Sequence, residues 1–216
     1  MKYLLSAFLT GLFLQSMACN PEPLPTRWSA GIIGIGNYQL PYDGWHPYFL
    51  PGIQVKRECG NYAIRAGVEH VKTYIAPSEQ GGFDILYMSG PVSRTLFRAG
   101  AERSWKLHRW FNPYAAADIA WQSMHSDITS VGGIAGLNER VEIDTRGIGL
   151  LPAIGLRSEL GKNISLFAEY RAEAFLNDES SKLTDYNGNV DSRPSRRTDF
   201  DFSAGKSVQA GIQIYF

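Results

Sequence analysis

Ser207-Val208-Gln209-Ala210-Gly211-Ile212-Gln213-Ile214-Tyr215-Phe216 decides the fold. Val208, Ala210, Ile212, Ile214 and Phe216 share one parity, and Ser207, Gln209, Gly211, Gln213 and Tyr215 share the other. Successive side chains of a strand point to opposite faces, so this is a strand with one oily and one polar face. As the edge of a soluble sheet it would be an aggregation hazard.

The same alternation recurs six times upstream. Ile164 to Ala174 carries Ile164, Leu166, Ala168 and Tyr170 against Ser165, Glu169 and Arg171, with Phe167 on the polar side. Gly147 to Arg157, Ala115 to Gln122, Arg94 to Trp105, Tyr62 to Glu69 and Phe49 to Glu58 read the same way. The first segment, Arg27 to Tyr38, is apolar on both parities, so its facing stays open. Pro152 cannot donate to a ladder, which predicts a bulge or local irregularity there. Eight segments of about ten residues have the length of tilted strands that cross a bilayer. Their connections alternate. Cys59-Gly60-Asn61, His108 to Pro113 and Gly161-Lys162-Asn163 are short, while Gln39 to His46, Ala76 to Gly90, Ser123 to Glu139 and Asn177 to Asp199 are long and polar. An even-stranded barrel with both ends in the periplasm has this pattern of turns and loops.

The chain has 21 Lys plus Arg against 21 Asp plus Glu among 216 residues, a zero balance that argues against a nucleic-acid binder. Met1-Lys2-Tyr3, the apolar run Leu4 to Leu14 and the small residues Ser16 and Ala18 read as a secretory signal ending before Cys19. The expected organisation is a signal peptide over 1–18, a periplasmic segment over 19–26 and a barrel over 27–216. Cys19 and Cys59 would both lie in the periplasm, an oxidising compartment. A disulfide between them and a lipid on Cys19 are competing expectations, and intact mass separates them.

In these features the chain resembles the small eight-stranded outer-membrane β-barrel proteins of Gram-negative bacteria, the OmpA/OmpX-like group. Ile212, Ile214, Tyr215 and the terminal Phe216 resemble the signal that the barrel-assembly machinery reads. Leu151 to Leu156, followed by Asn163 to Leu166 and Glu169-Tyr170, is similar to the last hairpin of the outer membrane protein β-barrel domain family. The resemblance implies an all-β, antiparallel, up-and-down transmembrane barrel in the outer membrane. It also implies lipid and lipopolysaccharide as surroundings, and periplasmic chaperones during biogenesis. No peptidoglycan-binding domain is expected after Phe216, and any extracellular partner is unnamed.

An eight-stranded barrel is just wide enough for side chains to fill. The inward parity carries Lys56, Arg65, Arg94, Arg98, Arg157 and Arg171. It also carries Glu58, Glu69, Glu102, Asp118, Glu159, Glu169 and Glu173. Charges taken out of water need partners, so a near-balanced set predicts an ion-pair network that plugs the lumen. A narrow solute pore and a lipid A-modifying barrel enzyme are the alternatives. His125-Ser126-Asp127 invites a hydrolase reading, but consecutive residues alternate across a strand and do not converge as a triad must. His46 and His70 lack metal-ligand spacing, and Gly31, Gly34 and Gly36 match no dinucleotide fingerprint. No catalytic residue, cofactor or metal is expected. Trp105, Trp110, Phe111, Tyr114 and Tyr62 gather near short turns, and Phe200 and Phe202 near the opposite end, as interfacial aromatic girdles do.

Overall fold

The computed structural model describes residues 26–38, 46–48, 52–80, 86–108, 110–132, 137–185 and 195–216. Nine antiparallel segments follow one another. They are β1 (Thr26–Tyr38), β2 (His46–Tyr48), β3 (Gly52–Cys59), β4 (Tyr62–Gln80), β5 (Leu86–Ser104), β6 (Asn112–Gly132), β7 (Leu137–Glu159), β8 (Ile164–Asp185) and β9 (Ser195–Tyr215). From β3 onward each strand pairs with its successor, and β9 returns to β1 with Ile32 opposite Ile212, which closes the ring.

Nine segments make eight staves. Gly36 to Tyr38 of β1 pair with both β9 and β2, so β2 lies on the edge of β1 away from β9. β3 lies on that same edge, with Ile33 opposite Gly52. The strand expected from Phe49 to Glu58 therefore appears as β2 and β3, and Phe49 to Pro51 lie outside the described residues, as do Trp45, Cys19 and the whole of 1–25.

The turn between β3 and β4 is two residues long, Gly60-Asn61. Gly60 has φ +62°, and among the described residues only glycines have positive φ, which is the type II′ pattern with glycine first. At Pro152 the ladder to β8 lapses between Leu150 and Ala153, while pairing to β6 continues through Ala117. The expected irregularity is thus a missing stretch of one ladder, on the edge where the strand runs past Ala172.

Three of the expected loops prove to be mostly strand. β4 runs on to Gln80 and β5 begins at Leu86; β6 and β7 stay paired up to Gly132 opposite Leu137; β8 reaches Asp185. Hydrophobic alternation marks a strand only where one face is apolar. Beyond Trp121 both faces of β6 carry polar residues, so the pattern ends while the backbone ladder does not.

Parity sorts the wall. Ile32 and Ile148, each 65% exposed, point outward with Ile53, Ile119 and Ile212, while Lys56, Arg65 and Glu102 point inward and are buried. The facing of β1, open in the sequence, is settled by Ser29 and Ile33 inside and Trp28 and Ile32 outside. From Ile164 to Leu176 a strand rising about 3.3 Å per residue at a tilt near 40° climbs roughly 30 Å, the height of a hydrocarbon core.

Candidate functional site

The lumen holds the charges, stacked in tiers. Nearest the short turns, Arg157 from β7 binds Glu58 at 2.8 Å and also Glu102, whose second oxygen takes Lys56 Nζ at 2.5 Å. The Lys56 ammonium also lies 5.1 Å from the centre of the Tyr114 ring.

In the middle tier Arg65 reaches across the barrel. Its Nε and Nη2 donate to Asp118 at 2.8 and 2.7 Å, and its Nη1 donates to Glu169 at 2.5 Å. Asp118 also accepts from Arg98 at 2.7 Å, and Arg98 donates to Gln54. Tyr114 donates its hydroxyl to Glu169 at 3.2 Å.

Above these, Arg171 grips Glu69 through both terminal nitrogens at 2.9 and 3.0 Å, and Gln209 donates to the same carboxylate at 2.9 Å. Arg94 joins Glu173 at 2.7 Å and Gln122 at 2.9 Å. A small apolar layer of Leu96, Ala120, Leu151 and Phe175 packs among these groups.

The network joins strands far apart in sequence. Lys56 comes from β3, Arg65 and Glu69 from β4, Asp118 from β6, Arg157 from β7, and Glu169 and Arg171 from β8. Alternation forces this arrangement, because every second residue of each strand enters the lumen, where these charged side chains are buried. Paired, hydrogen-bonded charges are the form in which ions tolerate such a space.

Of the thirteen charges expected in the lumen, twelve take part in the ion pairs above, and Glu159, half-buried like Glu58, ends β7 beside them. It lines a recess of about 340 Å³ with Arg27, Glu58, Lys106, Asn112 and Arg157. The paired twelve are Lys56, Arg65, Arg94, Arg98, Arg157 and Arg171 against Glu58, Glu69, Glu102, Asp118, Glu169 and Glu173.

Tyr114 also departs from expectation. Its ring is buried inside the barrel, not at the outer rim with Trp105, Trp110 and Phe111. Its even number matched Asn112 and Asp118, a parity signal that its aromatic neighbours obscured. The network glutamines Gln54, Gln122 and Gln209 were legible only as polar-face residues.

His125, Ser126 and Asp127 do not converge. His125 is exposed and 2.8 Å from Asp144, Ser126 is buried on the inner face, and Asp127 takes two bonds from Arg140 at 2.8 and 2.7 Å. Hydrogen bonding from Arg140 holds the Asp127 carboxyl below its ordinary value. His70 is exposed and bonded to Thr95 at 2.9 Å, and the side chain of His46 lies outside the described residues. Among the described residues no group of three His, Cys, Asp or Glu is arranged to hold a metal ion.

On the closing strand Ile212 and Ile214 face outward, Phe216 is exposed and donates its N–H to Trp28 O at 3.0 Å, and Tyr215 points inward under Arg27 at 4.1 Å. Cys59 ends β3 opposite Thr26 and Tyr62.

No protein-family model matches the chain, and no curated protein matches it. Solved structures do. Neisserial surface protein A is 17% identical, with 88% of this chain and 96% of that one covered and a TM-score of 0.48. Ail of Yersinia pestis is 11% identical over 88% and 97%, with a TM-score of 0.43. A major outer membrane protein from Thermus thermophilus is 11% identical over 88% and 99%, with a TM-score of 0.52. What is shared at that level of identity is the fold: this chain is built as an eight-stranded β-barrel of the outer-membrane type.

Proposed function

We propose that the chain is an integral outer-membrane protein of a Gram-negative bacterium, a non-enzymatic scaffold whose lumen is plugged by ion pairs and whose tall, polar end meets partners outside the cell. One observation carries the reading. The distribution of side chains is inverted, with a continuous oily belt outside and six ion-paired cations inside. Water would penalise such a surface heavily, since each exposed large aliphatic side chain forgoes about 1.5–3 kcal/mol of burial. Lipid removes that penalty, and closure of the ladder into a ring pairs the backbone edges that lipid could not satisfy.

In this reading the short turns are periplasmic and the paired extensions beyond Trp121 and Leu176 are extracellular. Lipopolysaccharide would surround the outer half of the belt. Ile212, Ile214, Tyr215 and Phe216 would be the segment handled by the barrel-assembly machinery, with periplasmic chaperones guarding the strands beforehand. The separated positions of His125, Ser126 and Asp127 support a role without catalysis. The near balance of lumen charges supports a closed barrel over a solute pore.

The test is refolding from urea into phosphatidylcholine vesicles, followed by gel mobility before and after boiling. A folded barrel migrates differently once boiled. A chain that stays folded and monomeric in plain buffer, with no such shift in vesicles, overturns the proposal.

A further inference from the structure

Two oily grooves run along the outer wall, and they end differently. One crosses β3 to β6 as far as Ile148 of β7, has a volume of about 940 Å³, and has a floor of Ala66, Ala99, Ala101 and Ala117. The other crosses β7, β8, β9 and β1, encloses about 720 Å³, and has a floor of Ala30, Ala168 and Ala210. Alternation dictates what rims each groove at the short-turn end. One step beyond Val55, Ile64 and Ala101 the outward residues are Arg57, Tyr62 and Arg103. One step beyond Ile32, Leu166 and Ile214 they are Trp28, Ile164 and Phe216.

So, of the two, the first groove is the one rimmed by arginines. Arg57 lies 5.7 Å from the Trp28 ring, and Arg103 lies 5.6 Å from both Tyr62 and Trp105. At these distances each guanidinium is held near an aromatic ring by cation–π attraction. Among the described residues neither arginine is within ion-pair distance of a carboxylate. The opposite end of the wall differs, since Arg140 is answered there by Asp127 and Glu142, and Arg196 by Asp178. Register puts Arg57 beside Ile64 and Arg103 beside Tyr62, on the two flanks of β4. Two strand spacings and one two-residue step along β4, roughly 12 Å in all, separate their backbones, within the combined reach of two arginine side chains.

We infer that this groove seats one acidic glycerophospholipid of the inner leaflet, its phosphodiester held between Arg57 and Arg103 below Tyr62 and an acyl chain lying over the alanine floor. The inference rests on the membrane reading above. Charge complementarity chooses the occupant. Two cations without acidic partners among the described residues, at the depth where a lipid headgroup begins, favour an anionic lipid over a zwitterionic one. The alanine floor makes room for its chain.

Native mass spectrometry of the detergent-solubilised full chain, titrated with phosphatidylglycerol or with phosphatidylcholine of the same chains, tests it. One phosphatidylglycerol should bind in preference. Arg57→Gln and Arg103→Gln should each weaken it about fivefold, and the pair about thirtyfold, the effect expected of about one unit charge each near a headgroup. Ala99→Leu, which fills the floor, should weaken both lipids. Arg146→Gln at the opposite end and Ala210→Leu in the second groove should change nothing. Equal binding of the two lipids, insensitivity to R57Q and R103Q, or an equal loss from R146Q would overturn the site. Heat-shifted mobility in phosphatidylcholine vesicles separates the two levels. A chain that folds there without lipid preference loses only this site, whereas one that folds in no vesicle loses the membrane reading as well.

Discussion

The ring of Tyr114 occupies the space that a side chain on Gly155 would need: a Cβ built on Gly155 falls 2.2 Å from Tyr114 Cζ. The two residues are direct cross-strand partners in β6 and β7. The same pairing recurs at Phe167 with Gly211 and at Phe175 with Gly149. Each large inward aromatic of this set lies over a glycine, so the ring rests on bare backbone and the narrow lumen accommodates it. Aromatic cover of strand glycines is a recognised way to pin register in sheets.

Gly155→Ala should therefore destabilise the barrel, by about 1–3 kcal/mol as in other overpacked interiors. The ring cannot swing away cheaply, because its hydroxyl bonds Glu169 and Lys56 sits over its face. Urea unfolding in vesicles measures the loss. Adding Tyr114→Ala to Gly155→Ala should give less than the sum of the two single effects. Strict additivity would show that the ring and the glycine do not share this space.

Asp118 faces both Arg65 and Arg98 from a fully buried position. Asp118→Asn leaves two guanidiniums short of their common counter-charge, and the expected cost is about 3–5 kcal/mol. Glu159→Gln, at the solvent-reached mouth, should stay within about 0.5 kcal/mol of the parent. A parallel urea titration of the two variants checks the contrast, and equal effects would contradict the tiered network.

Parity made most of this arrangement readable in advance. Once Ile212 and Ile214 face out, Gln209 and Gln213 must face in, and the same step assigns Lys56, Arg65, Arg98, Asp118 and Glu169. Depth was less readable. Nothing in the sequence fixes where the wall stops, so it does not tell half-buried Glu58 and Glu159 from fully buried Glu102. Height was unreadable for another reason: above Trp121 polar residues occur on both faces of β6, and a hydrophobic pattern has nothing to report about a ladder held by backbone bonds and polar pairs such as Arg140–Asp127. The pairing of specific charges was also beyond reach, since Arg65 finds Glu169 across the barrel, 104 residues away along the chain.

The proposed plugging of the lumen predicts that removing positive charge from the middle tier opens a leak. In Arg65→Ala with Arg98→Ala, Asp118 and Glu169 lose the cations that neutralise them, and water follows the vacated volume. Planar-bilayer recording should show cation-selective current in the double variant and no steady nanosiemens channel in the parent. Large conductance in the parent would end the plug reading.

The dispersal of His125, Ser126 and Asp127 also has a consequence. Ser126→Ala and His125→Ala should leave the lipid A mass profile of cells expressing the protein unchanged, and the parent should match cells that lack it. A profile altered by the parent and restored by Ser126→Ala would establish hydrolytic chemistry at that position.

The bidentate pair Arg140–Asp127 latches the β6–β7 extension outside the belt, and it makes that extension sensitive to acid. The hydrogen bonds from Arg140 depress the Asp127 pKa in the folded chain relative to the unfolded one. A depressed carboxyl contributes stability at every pH above its unfolded value, and that contribution disappears as pH falls through the folded value. The pair is partly exposed, so the effect is modest, about 0.2–1 kcal/mol. It is also local, because the ion pairs inside the barrel are shielded from solvent. Amide exchange protection of Ser123–Gly132 should therefore fall as pH drops below the usual aspartate range, after correction for intrinsic rates, while protection near Asp118 holds. Asp127→Asn should lower protection of the same segment already at neutral pH and remove its acid dependence. Acid dependence that persists in Asp127→Asn would assign the sensitivity to another group.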